Sequence, residues 1–266
     1  MIFHSSIEPI YFLLPLIGLI IGLFGTMLGG GGGFFFLPIL TLLLRVPAQT
    51  AVITSLVATL PICIVGSFGH YRKSNIDFRI APMFAFAGIA GAFIGAGITS
   101  RINASQLKIS FGVYSVLIAF NVAFSTWRKK RTNVNGAEEQ QKDGGLIKIA
   151  KGSFFGLCAG IITGTFGTSG TAPVLAGLFS MRIPFKMVIG TALLIVLINT
   201  VFAVGAHFLI GKIDLTLVYF LTAGSTIGAI AGPRLLAETK TDRSENTIKY
   251  WYAAVIVVLG ILMIVG

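Results

Sequence analysis

Apolar runs of about 20 residues recur along this sequence, as at 10–28, 80–100 and 185–209. A helix needs roughly 20 such residues to cross the hydrocarbon core of a bilayer. Only 11% of the 266 residues are charged, and the mean hydropathy is +0.91. That leaves too little polar surface to cover a large soluble core. The sequence therefore predicts an all-α polytopic membrane protein, with about 8–10 helical segments that include broken or re-entrant half-helices.

Five consecutive glycines, 29–33, interrupt the first apolar region. Each glycine destabilises a helix by about 1 kcal/mol relative to alanine, so this stretch predicts a break in the helix. Non-helical backbone at membrane depth persists only where it is buried in protein or lines a polar cavity. The apolar piece that follows, 34–44, spans only about half a bilayer. We predict that the broken backbone lines a binding site for a small anion.

The two halves of the chain match each other in an ordered series of features. The matched pairs are Gly18 with Gly156, Arg45 with Arg182, Pro47 with Pro184, Thr54 with Thr191, His70 with His207, Asp77 with Asp214, and Gly91 with Gly228. A second polar break, 167–171, precedes another short apolar piece at 173–179. We predict a duplication, with a first transmembrane repeat at 1–127, a charged linker at 128–148 and a second transmembrane repeat at 149–266.

The distribution of Lys and Arg bears on the orientation of the repeats. If each half crosses the membrane an odd number of times, most of these residues share one side with the linker. The positive-inside rule then predicts inverted repeats with a cytoplasmic linker, in a multi-pass protein of the plasma or inner membrane. Because the basic residues cluster in loops, topology accounts for the formal charge of +11, and no nucleic-acid partner is expected.

The first glycine motif and its surroundings resemble a known family. They read Gly25-x-x-x-Gly29-Gly30-Gly31-Gly32-Gly33-x-x-x-x-Pro38, followed by Pro47-x-x-x-Ala51-x-x-Thr54-Ser55. Together with the degenerate second copy, this pattern resembles the sulfite exporter TauE/SafE family over essentially the whole chain. The second copy departs from the family's glycine triplet by reading Gly167-Thr168-Ser169-Gly170. The resemblance implies transport of sulfur-containing anions such as sulfite and organosulfonates.

Backbone N–H groups at the breaks supply the chemistry that an anion site needs. Helix N-termini and glycine loops bind small anions without a buried cation, and two half-helix ends converge near the midplane in inverted-repeat transporters. Hydroxyl groups near the breaks and on the following helices would add donors. The candidate substrate-binding residues are Thr26, Gly29, Gly30, Gly31, Gly32, Gly33, Thr54, Ser55, Thr165, Gly167, Thr168, Ser169, Gly170, Thr171 and Thr191.

A packing interpretation of the same residues stays open. Glycines can serve close helix contact, which is what we expect of Gly91, Gly95, Gly228 and Gly232. Hydroxyls within spans often donate to carbonyls of their own helix.

Four further residues are candidates for coupling or for an entrance: His70, His207, Arg45 and Arg182. Each histidine could carry a coupling proton or could fix a turn. Each arginine could attract anions or could anchor the chain at the membrane interface.

We predict a secondary transporter of sulfite, thiosulfate or an organosulfonate that works by alternating access. The expected partners are the anion, the lipid bilayer, H⁺ as a candidate coupling ion and further copies of the chain in a homo-oligomer. A passive anion channel and a non-transporting membrane scaffold are the alternatives. The apolar runs carry no nucleophile–base pair and no His/Cys spacing typical of metal sites, so no enzyme activity and no cofactor are predicted.

Overall fold

A computed structural model describes residues 9–27, 32–131, 145–181, 183–208, 213–238 and 242–266. Within these residues the regular structure is helical, and seven of the helices are long and apolar enough to cross a membrane. Shorter apolar helices occur at Gly33–Leu43, Thr171–Ser180 and Ala253–Val265. The predicted class, an all-α polytopic membrane protein with broken helices, is confirmed.

Ten α-helices lie within the described residues. Their bounds are α1 Leu14–Met27, α2 Gly33–Pro38, α3 Ala48–Arg72, α4 Ala81–Arg101, α5 Ala104–Arg131, α6 Gly145–Phe166, α7 Thr171–Ser180, α8 Phe185–Phe208, α9 Leu215–Glu238 and α10 Asp242–Val265. A 3₁₀ turn, Pro9–Leu13, leads into α1, and a π-helical turn, Ile39–Leu43, continues α2. The first half-helix therefore runs from Gly33 to Leu43, close to the predicted 34–44.

Several helices begin where the sequence offers a start signal. Pro82 lies in the first turn of α4, where its missing N–H leaves no hydrogen bond unmade. Before α5, Asn103 and Gln106 cap each other, because each side-chain oxygen accepts from the backbone N–H of the other residue. The Asp77 carboxylate accepts from Arg79 and Ile80, and the Asp214 carboxylate accepts from Leu217. These local caps fix the loops that precede α4 and α9.

The closest helix contacts join one half of the sequence to the other. Helix α1 packs on α9, α4 packs on α6, and α5 packs on α10. At Gly22 an added Cβ would collide with the backbone of Ser225, and at Gly160 it would collide with that of Gly88. Because Gly22 corresponds to Gly160 and Ser225 to Gly88, the two contacts are reciprocal.

A second set of glycines continues these two interfaces. A Cβ at Gly91 would meet the Leu157 carbonyl, and a Cβ at Gly228 would meet the Leu19 carbonyl. Gly95 and Gly232 lie one turn further on and pack just as closely on α6 and α1. The packing role predicted for these four glycines is confirmed. Glycine lets these backbones approach closely, as small residues do in other membrane helices.

Helices α3 and α8 are the most enclosed of the long apolar helices, and they pack on each other. Each also contacts the third long helix of the other half, α3 against α9 and α8 against α4. Both breaks lie against α3. The repeat boundaries and the inverted orientation of the repeats stay predictions.

Candidate anion site between two helix breaks

The first break lies between the end of α1 at Met27 and the start of α2 at Gly33. Gly32 directly precedes the half-helix with φ at +74°, and its carbonyl accepts from the Phe35 N–H at 3.1 Å. A left-handed backbone is readily adopted by glycine and costs other residues about 1–2 kcal/mol. The predicted ligands Gly29, Gly30 and Gly31 lie outside the described residues.

The second break lies between the end of α6 at Phe166 and the start of α7 at Thr171. Here φ is +65° at Gly167 and +51° at Gly170. Gly170 directly precedes its half-helix, as Gly32 does in the first half. Thr168 and Ser169, the residues that depart from the glycine triplet, have ordinary negative φ values. The second copy therefore keeps glycine at the positions where its backbone is left-handed.

The two breaks lie in contact with each other. A Cβ built on Gly33 would lie 3.1 Å from the Ser169 nitrogen and 3.4 Å from the Gly167 oxygen. Helix α3 braces the junction, because the Ser55 hydroxyl donates to the Gly167 carbonyl at 2.8 Å. The Thr59 hydroxyl, one turn further along α3, would lie 2.8 Å from the same added Cβ at Gly33. The starts of both half-helices thus share one small region inside the bundle.

A pocket opens at this junction. Its polar side is formed by Thr168, Ser169, Gly170 and Thr171, and its apolar side by Phe24, Phe34, Phe35, Tyr114 and Ile118. The cavity volume is about 30 Å³. A single water needs roughly 10–15 Å³ of such volume, so the cavity suits a small polar guest.

Thr168 contributes a buried hydroxyl to the polar side of this pocket. Its side chain is 1% exposed, and its Oγ1 has no hydrogen-bond partner within the part of the chain that the structure describes. Leaving a buried hydroxyl unsatisfied costs about 1–3 kcal/mol. Thr171, on the other side of Ser169, donates to the Ser169 hydroxyl at 3.0 Å. Thr168 is therefore free to bond a guest in the pocket.

Three other hydroxyls predicted to bind the anion donate to backbone carbonyls of the protein. Thr26 donates to the Gly22 carbonyl of its own helix at 3.0 Å, and Thr165 donates to Gly95 of α4 at 3.4 Å. Ser55 makes the bond to Gly167 described above. These hydroxyls shape the breaks and do not line the pocket.

Thr54 and Thr191 are buried in α3 and α8 and each holds a loop of the other half. The Thr54 hydroxyl accepts from the Asp214 N–H at 3.2 Å, and the Thr191 hydroxyl accepts from the Asp77 N–H at 2.9 Å. Neither lines the pocket. Both therefore make a reciprocal structural contact outside the pocket, and their predicted role in the anion cage stays a prediction.

The candidate coupling and entrance residues also lie away from the pocket. His207 is buried and donates from Nε2 to the Gly164 carbonyl at 2.6 Å, one turn before the second break. His70 is equally buried, with Nδ1 3.4 Å from the Asn75 amide nitrogen. Arg45 is exposed, with φ at +51°, just after the first half-helix. Arg182 lies outside the described residues.

Helix α5 forms a wall of the pocket that the sequence did not predict. Tyr114 and Ile118 lie one turn apart on that helix, and the Tyr114 ring stacks on Phe166 with centroids 5.5 Å apart. Their spacing marks one face of a helix, but it cannot tell which face meets the breaks. The Asn199 amide is fully buried against Gly88, without a hydrogen-bond partner among the described residues.

Secondary transporters share this architecture, in which two broken helices meet among membrane-length helices at a small pocket with a polar side. Residues 14–263 match the family described as Sulfite exporter TauE/SafE. The chain belongs to this family, and it is a multi-pass protein of the cell membrane.

Several curated proteins are similar to this chain over most of its length. The probable membrane transporter protein YdhB of Bacillus subtilis is 27% identical over 82% of this chain and 86% of its own. YunE of the same organism, also a probable membrane transporter protein, is 21% identical over 96% of this chain and 97% of its own. A probable membrane transporter protein of Xylella fastidiosa is 27% identical over 94% and 91% of the two chains. No solved structure matches the chain significantly.

Proposed function

We propose that this protein is a secondary transporter of a small sulfur-containing anion, namely sulfite, thiosulfate or an organosulfonate. The anion binds between the two helix breaks and crosses the membrane by alternating access. The observation that carries the proposal is the contact of Gly33 with Gly167 and Ser169, beside a pocket with one polar side. Membership of the TauE/SafE family supports the choice of a sulfur oxyanion.

The half-helices supply the attraction for the anion. A helix N-terminus carries about half a positive elementary charge, and its first N–H groups lack partners within the helix. Helix α7 directs this end toward the polar side of the pocket, and α2 starts beside it. Thr168 adds a neutral hydroxyl donor. Such a site holds an anion without a buried cation, which would be costly at membrane depth.

The packing of the halves supports alternating access. Helix pairs α1–α9 and α4–α6 each join the two halves through backbone contacts at glycines, so each pair moves as a unit. The pocket lies where the halves meet, and rocking of one unit against the other would open it to alternate sides. The proposal includes H⁺ as the coupling ion and homo-oligomers as the assembled form.

A binding and exchange experiment on Thr168→Val tests the proposal. The purified protein is screened by thermal shift against sulfite, thiosulfate, sulfoacetate, taurine and phosphate, because a ligand of the folded state raises its stability. The best ligand is then followed in counterflow in proteoliposomes. We expect Thr168→Val to weaken its binding by at least about tenfold, because a hydrogen bond to a charged group contributes about 1.5–3 kcal/mol.

Thr41→Val is the matched control. Thr41 is also buried, but its hydroxyl donates to Leu37 of its own half-helix at 2.8 Å. We expect its anion affinity to equal that of the wild type. Unchanged affinity in Thr168→Val would overturn the site, and the absence of exchange with any sulfur anion would overturn the transport function.

A further inference from the structure

We infer that His70 is the binding site of the coupling proton, and that His207 holds the second break in place without exchanging a proton. The inference rests on the proposed transport function and assigns its coupling step. His70 and His207 occupy the same position in the two halves of the chain, but their contacts differ.

The two histidines differ in their Nε2 contacts. His207 donates from Nε2 to Gly164, whose carbonyl belongs to the last turn of α6. The hydroxyl of Thr99 donates to the same carbonyl at 3.2 Å and to that of Thr165 at 2.8 Å. The Nε2 atom of His70 is buried and has no partner within the described residues. One histidine is therefore engaged, while the other keeps an unused ring nitrogen.

A second unused polar atom lies beside His70. Ser67 is three residues earlier on α3, so both side chains project from one face of the helix. The Ser67 hydroxyl is buried and likewise lacks a partner among the residues that the structure describes. The second half has Val204 at the equivalent position. Two unpaired polar groups therefore occur together at His70, whereas the same place beside His207 is apolar.

The end of α1 passes next to Gly66, which lies one turn before His70 on the same face of α3. A Cβ built on Gly66 would lie 3.1 Å from the Thr26 methyl group. Thr26 lies three residues before the first break, as Gly164 lies three residues before the second. The last carbonyls of a helix carry a partial negative charge, which favours a cation nearby. A protonated His70 thus finds at the end of α1 the kind of acceptor that His207 finds at the end of α6.

Few charged groups approach His70 from the elements packed around it. The loop after α3 contributes Lys73, whose positive charge opposes a proton on the imidazole, and Asp77, whose carboxylate caps the start of α4. Helix α8 contacts His70 at Gly190, and its nearest cation, Lys186, is exposed. The apolar stretches 14–27 of α1 and 215–232 of α9 contain no charged residue. A proton on His70 thus has no neighbouring carboxylate within the bundle to neutralise it.

The Asn75 amide allows His70 to gain a proton. With a neutral ring, the amide N–H donates to Nδ1 across the 3.4 Å contact. When a proton from the loop side occupies Nδ1, a turn of the amide presents its oxygen, which accepts the new N–H. The other ring N–H then reaches the carbonyls at the end of α1, and this fixes the helix that leads into the first break.

Proton and anion therefore favour each other's binding. The positive ring has no carboxylate partner, so an anion at the junction of the breaks offsets its charge. By linkage, the anion raises the proton affinity of His70 by the factor by which the proton raises the anion affinity. The coupled movement is symport of the anion with the proton.

The test compares His70→Gln with His207→Gln in proteoliposomes loaded with sulfite. In the wild type, an interior that is one pH unit more alkaline should raise sulfite accumulation about tenfold over equal pH, since one unit supplies about 1.4 kcal/mol per symported proton. We expect His70→Gln to keep counterflow at equal pH and to lose the response to the gradient. His207→Gln should keep that response, with a lower thermal stability because Gly164 loses a donor.

Retention of the gradient response in His70→Gln would overturn the inference. Wild-type counterflow that ignores the gradient would overturn it as well, while leaving the transport function intact. A readout that needs no transport is the infrared signal of histidine protonation in the purified protein. In a His4→Gln background, which removes the third histidine of the chain, we expect one titrating histidine signal that disappears in His70→Gln and persists in His207→Gln. The absence of such a signal from the wild type would contradict the assignment.

Discussion

Thr54 and Thr191 show how one hydroxyl can replace a missing backbone partner. Each accepts the N–H of an aspartate in the loop that precedes α4 or α9 in the other half, and each threonine is fully buried. Without the hydroxyl, the N–H of Asp214 would stay buried and unpaired, and that of the half-buried Asp77 would lose its partner. An unsatisfied buried donor costs about 1–3 kcal/mol, which is large for a single residue.

We therefore expect Thr54→Val and Thr191→Val each to lower the free energy of unfolding by about 1–3 kcal/mol. The two losses should be similar, because the two contacts are reciprocal. The measurement is reversible unfolding in mild detergent, with Thr222→Val as the control, since the Thr222 hydroxyl donates to the Tyr219 carbonyl of its own helix. Two unaffected variants would show that these bonds do not hold the loops.

At the scale of helices, the reciprocal glycines set how closely the halves pack. Gly160 lies where an added Cβ would collide with the Gly88 carbonyl, a backbone atom that cannot turn aside. Gly97 lies on α4 with nothing within 4 Å of its added Cβ among the described residues. The two glycines thus have opposite surroundings within the same pair of helices, α4 and α6.

Gly160→Ala should lower the thermal stability, whereas Gly97→Ala should not. Forcing extra volume into packed helices costs about 1–3 kcal/mol, so Gly160→Ala should lower the thermal midpoint. Alanine stabilises a helix over glycine by about 1 kcal/mol, so Gly97→Ala should maintain or raise it. Thermal unfolding of both variants in one detergent decides the point. Equal midpoints would mean that the α4–α6 contact is looser than described.

Sequence patterns predicted the elements better than the roles of single residues. The broken helices, the short apolar pieces and the packing glycines follow from local composition, because glycine runs and apolar spacing act within one segment. Tyr114 was missed, because its place beside the breaks depends on which face of α5 turns inward. For Thr54 and Thr191, a sequence cannot show that a loop N–H from the other half bonds each hydroxyl, and their place in the anion cage stays a prediction.

At the scale of the whole molecule, the halves depend on each other. Helices α1, α4 and α5 pack chiefly on α9, α6 and α10 of the other half, so each half alone would expose its closest interfaces. The charged stretch 128–148 joins the halves in sequence, and its predicted role is that of a linker.

Cutting the chain between residues 138 and 139 should therefore be tolerated when both pieces are made together. We expect the two pieces to copurify as one complex that keeps the anion-dependent thermal shift, since the contacts between halves do not require a covalent link. Each piece made alone should aggregate or be degraded. A single half that purifies as a stable folded protein would contradict this mutual dependence.

The most direct test of the anion site is a structure of the full chain with selenite, a heavier analogue of sulfite. Anomalous scattering locates selenium without relying on the shape of the density. We predict one selenium position between Gly33 and Thr168, within hydrogen-bond distance of the Thr168 hydroxyl and next to the starts of α2 and α7. Selenium bound elsewhere, in a protein that still exchanges sulfite, would contradict the site between the two breaks.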